Sequence, residues 1–166
     1  MIQRKQTLYL LIGIVFILSY GLGNPQMATI KGAFQDSGSQ SVAHVMLNHI
    51  LVFSQTTLNA EPDFTVSNAF VVYTLIVIGA LSFIALFLFK KRALQLRLVS
   101  YLLIFDVLLY FMLFFQISMM KKLFVDPATT WSFYMATLLL LPLLHFLALR
   151  GIIHDIKLLK SVDRLR

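Results

Sequence analysis

From Ala69 to Phe89 the chain runs without a charged residue. A helix needs roughly 20 mostly apolar residues to cross the hydrocarbon layer of a bilayer, and a backbone in hydrocarbon has to satisfy its amides within its own segment. Three more stretches answer that description: Thr7 to Gly23, Leu98 to Met120 with the single acid Asp106, and Thr130 to Leu149. The composition agrees, since 59% of the 166 residues are apolar and 13% charged, where a soluble domain is about half apolar and a quarter charged. A water-soluble globular fold is excluded on these grounds. With no cysteine in the chain, disulfide scaffolds, CxxC redox chemistry and cysteine-ligated zinc or iron–sulfur sites are excluded too.

The expected fold is therefore an all-α membrane protein, a four-transmembrane-helix bundle that forms a single membrane domain over residues 1–166. Its spans are expected at 7–23, 69–89, 98–120 and 130–149, with an extracytoplasmic loop segment at 24–68 and a cytoplasmic amphipathic helix at 150–166. Asn24-Pro25 is a turn pair that ends the first span. The basic start Met1-Ile-Gln-Arg-Lys5 and the small residues of Gly21-Leu-Gly23 also fit a cleaved signal peptide; a retained anchor is the expectation. Trp131 and Tyr134 form an interfacial aromatic pair. Pro142 should kink the fourth span unless neighbours satisfy the carbonyl that it frees.

Cations orient the spans. Arg4 and Lys5 precede the first, Lys90, Lys91, Arg92 and Arg97 link the second to the third, and Arg150, Lys157, Lys160, Arg164 and Arg166 follow the fourth, against Lys31, Lys121 and Lys122 in the other connections. The positive-inside rule then places both termini in the cytoplasm and the connections at 24–68 and 121–129 outside, in the periplasm of a bacterium. Lys121 and Lys122 run against this count, but their side chains can snorkel to headgroups on either face. Arg4, Lys90, Lys91, Arg92, Arg97, Arg150, Lys157, Lys160, Arg164 and Arg166 are the expected contacts to anionic headgroups or to a partner on the cytoplasmic face.

Within 24–68, Val42, Met46, Ile50 and Phe53 fit a helical stripe, while Ile50 to Phe53 equally fits a buried strand. So short a segment makes little core of its own, and it is expected to cap the bundle or meet a partner. From Ile152 onward a helix would put Ile152, Ile156, Leu159 and Val162 or Leu165 on one side and Lys157, Lys160 and Arg164 on the other. That tail either lies in the membrane interface or prolongs the fourth span into water.

An acid inside a span is the feature that composition leaves unexplained. Asp106 lies nine residues beyond Arg97, about 13 Å inward at 1.5 Å per residue. By the same measure Ser82 lies about 12 Å inward from Lys90, and His145 about 8 Å inward from Arg150. The three are expected to form a polar layer between the second, third and fourth spans. Burying the acid costs about 2.5 to 3.5 kcal/mol on insertion scales. Such a layer either fixes helix rotation through hydrogen bonds of about 1 kcal/mol each, or passes a proton or holds a cation. Gly79, Ser82 and Ala85, three residues apart, would let helices approach closely.

Metal and catalytic chemistry find little footing. His44 and His49 are five residues apart, which does not align two ligands on one helical face, and neither metal nor cofactor is expected. No Walker loop, HExxH, GxSxG or glycine-rich fingerprint is present. Asp36, Glu61, Asp63 and Asp126 sit in polar connecting sequence without an evident partner base, so no enzyme is expected. Lys90 to Arg97 offers no groove-reading element or stacking platform for nucleic acid.

Three stretches together, Met1 to Leu11, Phe87 to Arg97 and Ala148 to Arg166, resemble a family of small bacterial membrane proteins described as domain of unknown function 4293. All three lie on the cytoplasmic side by the distribution of cations. The resemblance implies four crossings of the inner membrane and carries no assigned activity. The expected function is that of a non-enzymatic accessory or interaction subunit of a larger envelope complex, in contact with another membrane protein or a second copy of the chain. The alternative is a small proton- or cation-coupled transporter or channel component using Asp106.

Overall fold

The computed structural model describes residues 5–35, 39–54 and 62–163. Arg4, Asp36, Glu61, Arg164, Leu165 and Arg166 lie outside these residues, as do the side chains of Lys5, Lys160 and Val162. In chain order the elements are α1 (Lys5–Gly23), β1 (Gln26–Phe34), β2 (Gln40–Met46), β3 (His49–Ser54), β4 (Phe64–Ser67), α2 (Ala69–Phe87), a 3-10 turn (Leu88–Lys90), α3 (Arg92–Lys121), β5 (Phe124–Trp131), α4 (Phe133–Thr137) and α5 (Leu140–Asp163). The five strands make one sheet in the order β4-β3-β2-β1-β5, and every neighbouring pair is antiparallel.

This corrects the expected all-α four-helix bundle: the fold combines helices with a sheet. Four helical stretches are long and apolar enough to cross a membrane, Gln6–Gly23, Ala69–Lys90, Arg92–Lys121 and Phe133–Leu159. The segment at 24–68, however, carries four of the five strands instead of a loop, and Thr130 and Trp131 belong to β5 instead of opening a span. The helical stripe through Val42 and Met46 is a coincidence of spacing. Along β2 burial alternates, with Ser41, Ala43 and Val45 buried and Val42, His44 and Met46 half-exposed on the other face, which is the period of a strand. Of the two expected forms of the tail, the one that prolongs the fourth helical stretch is the one found, because α5 runs unbroken to Asp163. Nothing between Leu149 and Asp163 breaks a helix except Gly151, and Gly151 sits where a Cβ would come within 3.2 Å of the Gln6 Cβ.

The chain divides into two compact units, one of residues 1–19, 75–108 and 139–166, the other of residues 20–74 and 109–138. In the second unit, one face of the sheet and the end of α3 share a core of Ala28, Ile30, Ala43, Val45, Ile50, Val52, Ile117, Met120 and Phe124. The strand period puts the alternate residues on the opposite face, where the register aligns Thr29 with His44 and Leu51, and Lys31 with Val42 and Phe53. Three asparagines tie the turn between β2 and β3 to the helix ends. Asn24, at φ 42° in the left-handed region, stops α1 as a C-terminal cap and accepts the Asn48 amide at 3.1 Å. Asn68 donates its backbone amide to the Asn48 carbonyl at 2.8 Å and its side-chain amide to the Met46 carbonyl at 3.0 Å, while its own carbonyl accepts the amides of Val71 and Val72 at the start of α2.

The fourth helical stretch is broken instead of kinked. The proline ring excludes the carbonyl four residues back, which is that of Leu138, and the helix stops at Thr137 and resumes at Leu140. Hydroxyls from α1 and α3 bond carbonyls of α4: the Tyr110 hydroxyl donates to the Met135 carbonyl at 2.5 Å, and the Tyr20 hydroxyl donates to the Tyr134 carbonyl at 2.8 Å, which also accepts the Leu138 amide at 3.1 Å.

Candidate functional site

Four helical segments of the first unit meet at one imidazole. His145 Nδ1 lies 2.7 Å from Asp106 Oδ2 and its Nε2 lies 3.1 Å from Ser82 Oγ, so α5 is joined to α3 on one edge of the ring and to α2 on the other. Gly13 of α1 lies against the same ring, where a Cβ would stand 3.4 Å from Nε2. Ser82 and His145 are fully buried, and Asp106 is 1% exposed. A larger residue at position 13 would occupy the space that the ring and α1 share.

Hydrogen-bond bookkeeping decides what this arrangement can do. The Ser82 hydroxyl has one proton, and Oγ stands 2.8 Å from the Ile78 carbonyl one turn back, a group that only accepts. When the hydroxyl donates there, as serines in helices commonly do, Nε2 carries a proton and donates it to Oγ; when it donates to Nε2 instead, the ring holds the opposite tautomer. In the first case a second proton lies between Nδ1 and Oδ2. On either atom it leaves the trio with no net charge, as imidazolium and carboxylate or as imidazole and carboxylic acid. Interhelical hydrogen bonds in membranes return about 1 kcal/mol each, less than the roughly 2.5 to 3.5 kcal/mol that an uncompensated ion costs at that depth, so charge balance within the trio matters more than any single bond.

The connectivity, serine to Nε2 and Nδ1 to aspartate, is that of a hydrolase triad, and the tautomer of the ring sets which of Ser82 Oγ and His145 Nε2 donates. Asp106 Oδ1 is buried and has no hydrogen-bond partner among the described residues. That oxygen is the one place in the trio where a further donor, a water or a proton could be received.

A second polar layer, which sequence reasoning missed, lies toward the start of α1 and α3. Gln6 donates to Asp155 Oδ2 at 3.4 Å, and Arg92 donates to the Asp155 carbonyl at 3.1 Å and pairs with its carboxylate at 3.6 Å. The buried Gln95 donates to the Ala85 carbonyl at 3.0 Å, close to where α2 ends. The expected surface role of Arg92 is accordingly taken up in part by an internal tie between α3 and α5. Lys90, Lys91, Arg97, Arg150 and Lys157 are exposed. Gly79 lies against Ile17, a close approach of α1 and α2 at the small-residue stripe. The signal that could have found Gln6 and Gln95 is the one that found Asp106, a long polar side chain within or beside an apolar run.

His44, on the sheet face opposite the core, meets Phe53 edge-on at 5.6 Å. Its pKa is lowered from the ordinary imidazole value, first by burial and then by the nearby Lys31 ammonium. No group of three metal-ligating side chains occurs among the described residues.

Comparison with protein families matches residues 2–165 to the family described as domain of unknown function (DUF4293). Comparison with curated proteins finds no match to this chain.

Proposed function

The chain belongs to the domain of unknown function 4293 family, and from that premise we propose that it is an integral protein of the bacterial inner membrane that works without catalysis, as an interaction subunit of a larger envelope complex. The pairing of β1 with β5 carries this reading. β1 follows α1 and β5 follows α3, yet they are hydrogen-bonded partners from Ala28 and Trp131 to Phe34 and Phe124. That pairing supports a topology in which the connections after α1 and α3 emerge on one side of the membrane, as four crossings would place them. The exposed cations between α2 and α3 and after Leu149 then fall on the opposite, cytoplasmic side with both termini, where anionic headgroups are their natural counterions. The two connections pair into one sheet, and its face through Lys31, His44, Leu51 and Phe53 is left to a partner.

The experiment is purification of the tagged chain from native membranes in mild detergent, beside variants carrying Leu51→Lys and Phe53→Lys on that face. A stoichiometric companion that is lost from the variants is the expected result. A lone 19.0 kDa species in the unmodified sample would overturn the reading.

One observation favours a second reading, a proton- or cation-coupled role. It is the unpartnered Oδ1 of Asp106, since unsatisfied buried acceptors in a native fold call for an explanation. Flux into liposomes that disappears with Asp106→Asn, in protein that still purifies as a folded species, would replace the first reading with this one.

A further inference from the structure

We propose that β5 is a membrane-seated strand: it lies in the phospholipid headgroup layer, anchored by Trp131, with the Lys121 ammonium held between the indole ring and lipid phosphate. The proposal rests on the reading of α3 as a membrane span and goes beyond it by fixing where the sheet meets the lipid. Three observations bracket the position. Phe111, Phe114 and Phe115 on α3 are all more than half exposed, on a helix apolar enough to cross a membrane, so hydrocarbon is the solvent that suits them. The outer edge of β5 pairs with no strand among the described residues, and a sheet edge with open amides and carbonyls does not occur in hydrocarbon. The boundary must then fall between those phenylalanines and the strand, and the Trp131 ring stacks on Phe114 at 6.5 Å and 3° at that level.

Trp131 also carries the polar end of the arrangement. Lys121 Nζ stands 5.4 Å from the centre of its ring, a cation–π distance. Phenyl, indole and ammonium thus follow one another in the order in which a bilayer changes from acyl chain to phosphate, and an indole with one apolar and one polar side is the group that favours that depth. Chain connectivity keeps the strand there. Only Lys122 and Leu123 separate α3 from β5, and only Ser132 separates β5 from α4, so both ends of the strand are held where helices leave the membrane. The strand is also guarded in the manner of an edge not meant for another strand: Asp126 has φ 48°, Pro127 lacks an amide hydrogen, and the register with β1 shifts between Lys31 and Ala33. Lipid, not a further strand, is the occupant that fits. Lys121 and Lys122, which run against the count of cations, are then interfacial anchors on the sheet side.

Trp131 is the only tryptophan in the chain, so its emission reports the strand without any substitution. The full-length protein would be placed in phosphatidylcholine nanodiscs containing lipids spin-labelled either close to the ester groups or near the chain ends, and titrated separately with iodide. The expected result is blue-shifted emission quenched more strongly by the shallow label than by the deep one, with Lys121→Glu shifting emission to the red and Lys121→Arg leaving it in place. Quenching by iodide without quenching by either lipid label would put the ring in water and overturn the proposal. So would stronger quenching by the deep label, or protection from all three quenchers, which would mean that protein covers the strand. Alkaline carbonate extraction separates this from the reading on which it rests: protein released by carbonate does not span the membrane, whereas protein that stays embedded with a water-quenched Trp131 refutes the seated strand alone.

Discussion

Each ring nitrogen of His145 is committed to a different helix, and this makes the residue sensitive to the kind of substitution as well as to its size. Asp106→Asn keeps the shape and the charge balance of the trio, because an amide hydrogen can donate to Nδ1 while Nε2 continues to donate to Ser82. Its expected cost is within about 1 kcal/mol, the scale of one interhelical hydrogen bond. His145→Ala takes from Asp106 and Ser82 the partner that they share and is expected to cost about 3 to 5 kcal/mol, as for a buried pair that loses one partner. Unfolding of the purified protein in mixed micelles measures both, and equal losses would refute the charge-balance account. His44 makes a separate prediction outside the spans. Its folded pKa is depressed, so the unfolded chain binds the proton more readily. Its contribution to stability is complete above the unfolded value near 6.5 and is lost as pH falls through that value toward the folded one. His44→Gln should flatten that part of the stability profile, and an unchanged profile would count against the assignment. Of these residues, Asp106, Ser82 and His145 were legible because a polar side chain in an apolar run is conspicuous and the helical rise gives its depth. Gly13 was not, since its meaning lies in the ring packed against it.

At the scale of elements, the helices were readable, whereas of the strands only β3 was offered, as the alternative reading of Ile50 to Phe53. Length and hydropathy alone mark a spanning helix, because its backbone satisfies itself. A strand's backbone is satisfied by a neighbour that no local window contains, and the β2 pattern fitted two periods at once. The joint between β1 and β5 is tight at Gly32, where an added Cβ would come within 2.9 Å of the Val125 carbonyl oxygen. Gly32→Val is expected to part β5 from β1 and expose Phe124–Trp131 to protease, while Gly23→Val, with nothing within 4 Å of its Cβ position, serves as the control. Cleavage unchanged by Gly32→Val would show that the sheet does not depend on that approach. The break between α4 and α5 was half legible. Pro142 announced a defect, but the Tyr20 and Tyr110 hydroxyls that bond the α4 carbonyls come from α1 and α3. Tyr110→Phe leaves the Met135 carbonyl without its donor and should destabilise by about 1 kcal/mol, measured by the same micelle unfolding.

For the whole molecule, topology is the property that most of the functional reading needs. The native chain has no thiol, so single cysteines can be labelled cleanly. Gln40 in β2 and Ala93 in α3 are exposed and, with four crossings, stand on opposite sides. A membrane-impermeant maleimide applied to intact cells should modify Gln40→Cys and spare Ala93→Cys. Labelling of both, or reporters on the two termini that land on opposite sides, would refute four crossings.

What the amino-acid sequence by itself determined is whatever follows from transfer between solvents: that four segments prefer hydrocarbon, which polar side chains are stranded among them, and how the cations divide. These are sums over residues, or over residues within one segment, and they need no partner. Tertiary structure alone decided which residues complete one another. It brought a glycine of α1 against an imidazole of α5, tied α3 to α5 through Arg92 and Asp155, and paired a strand after α1 with one after α3. Those are matters of geometry between distant parts of the chain, and hydrogen bonds and close contacts are directional and short-ranged where hydrophobic transfer is not.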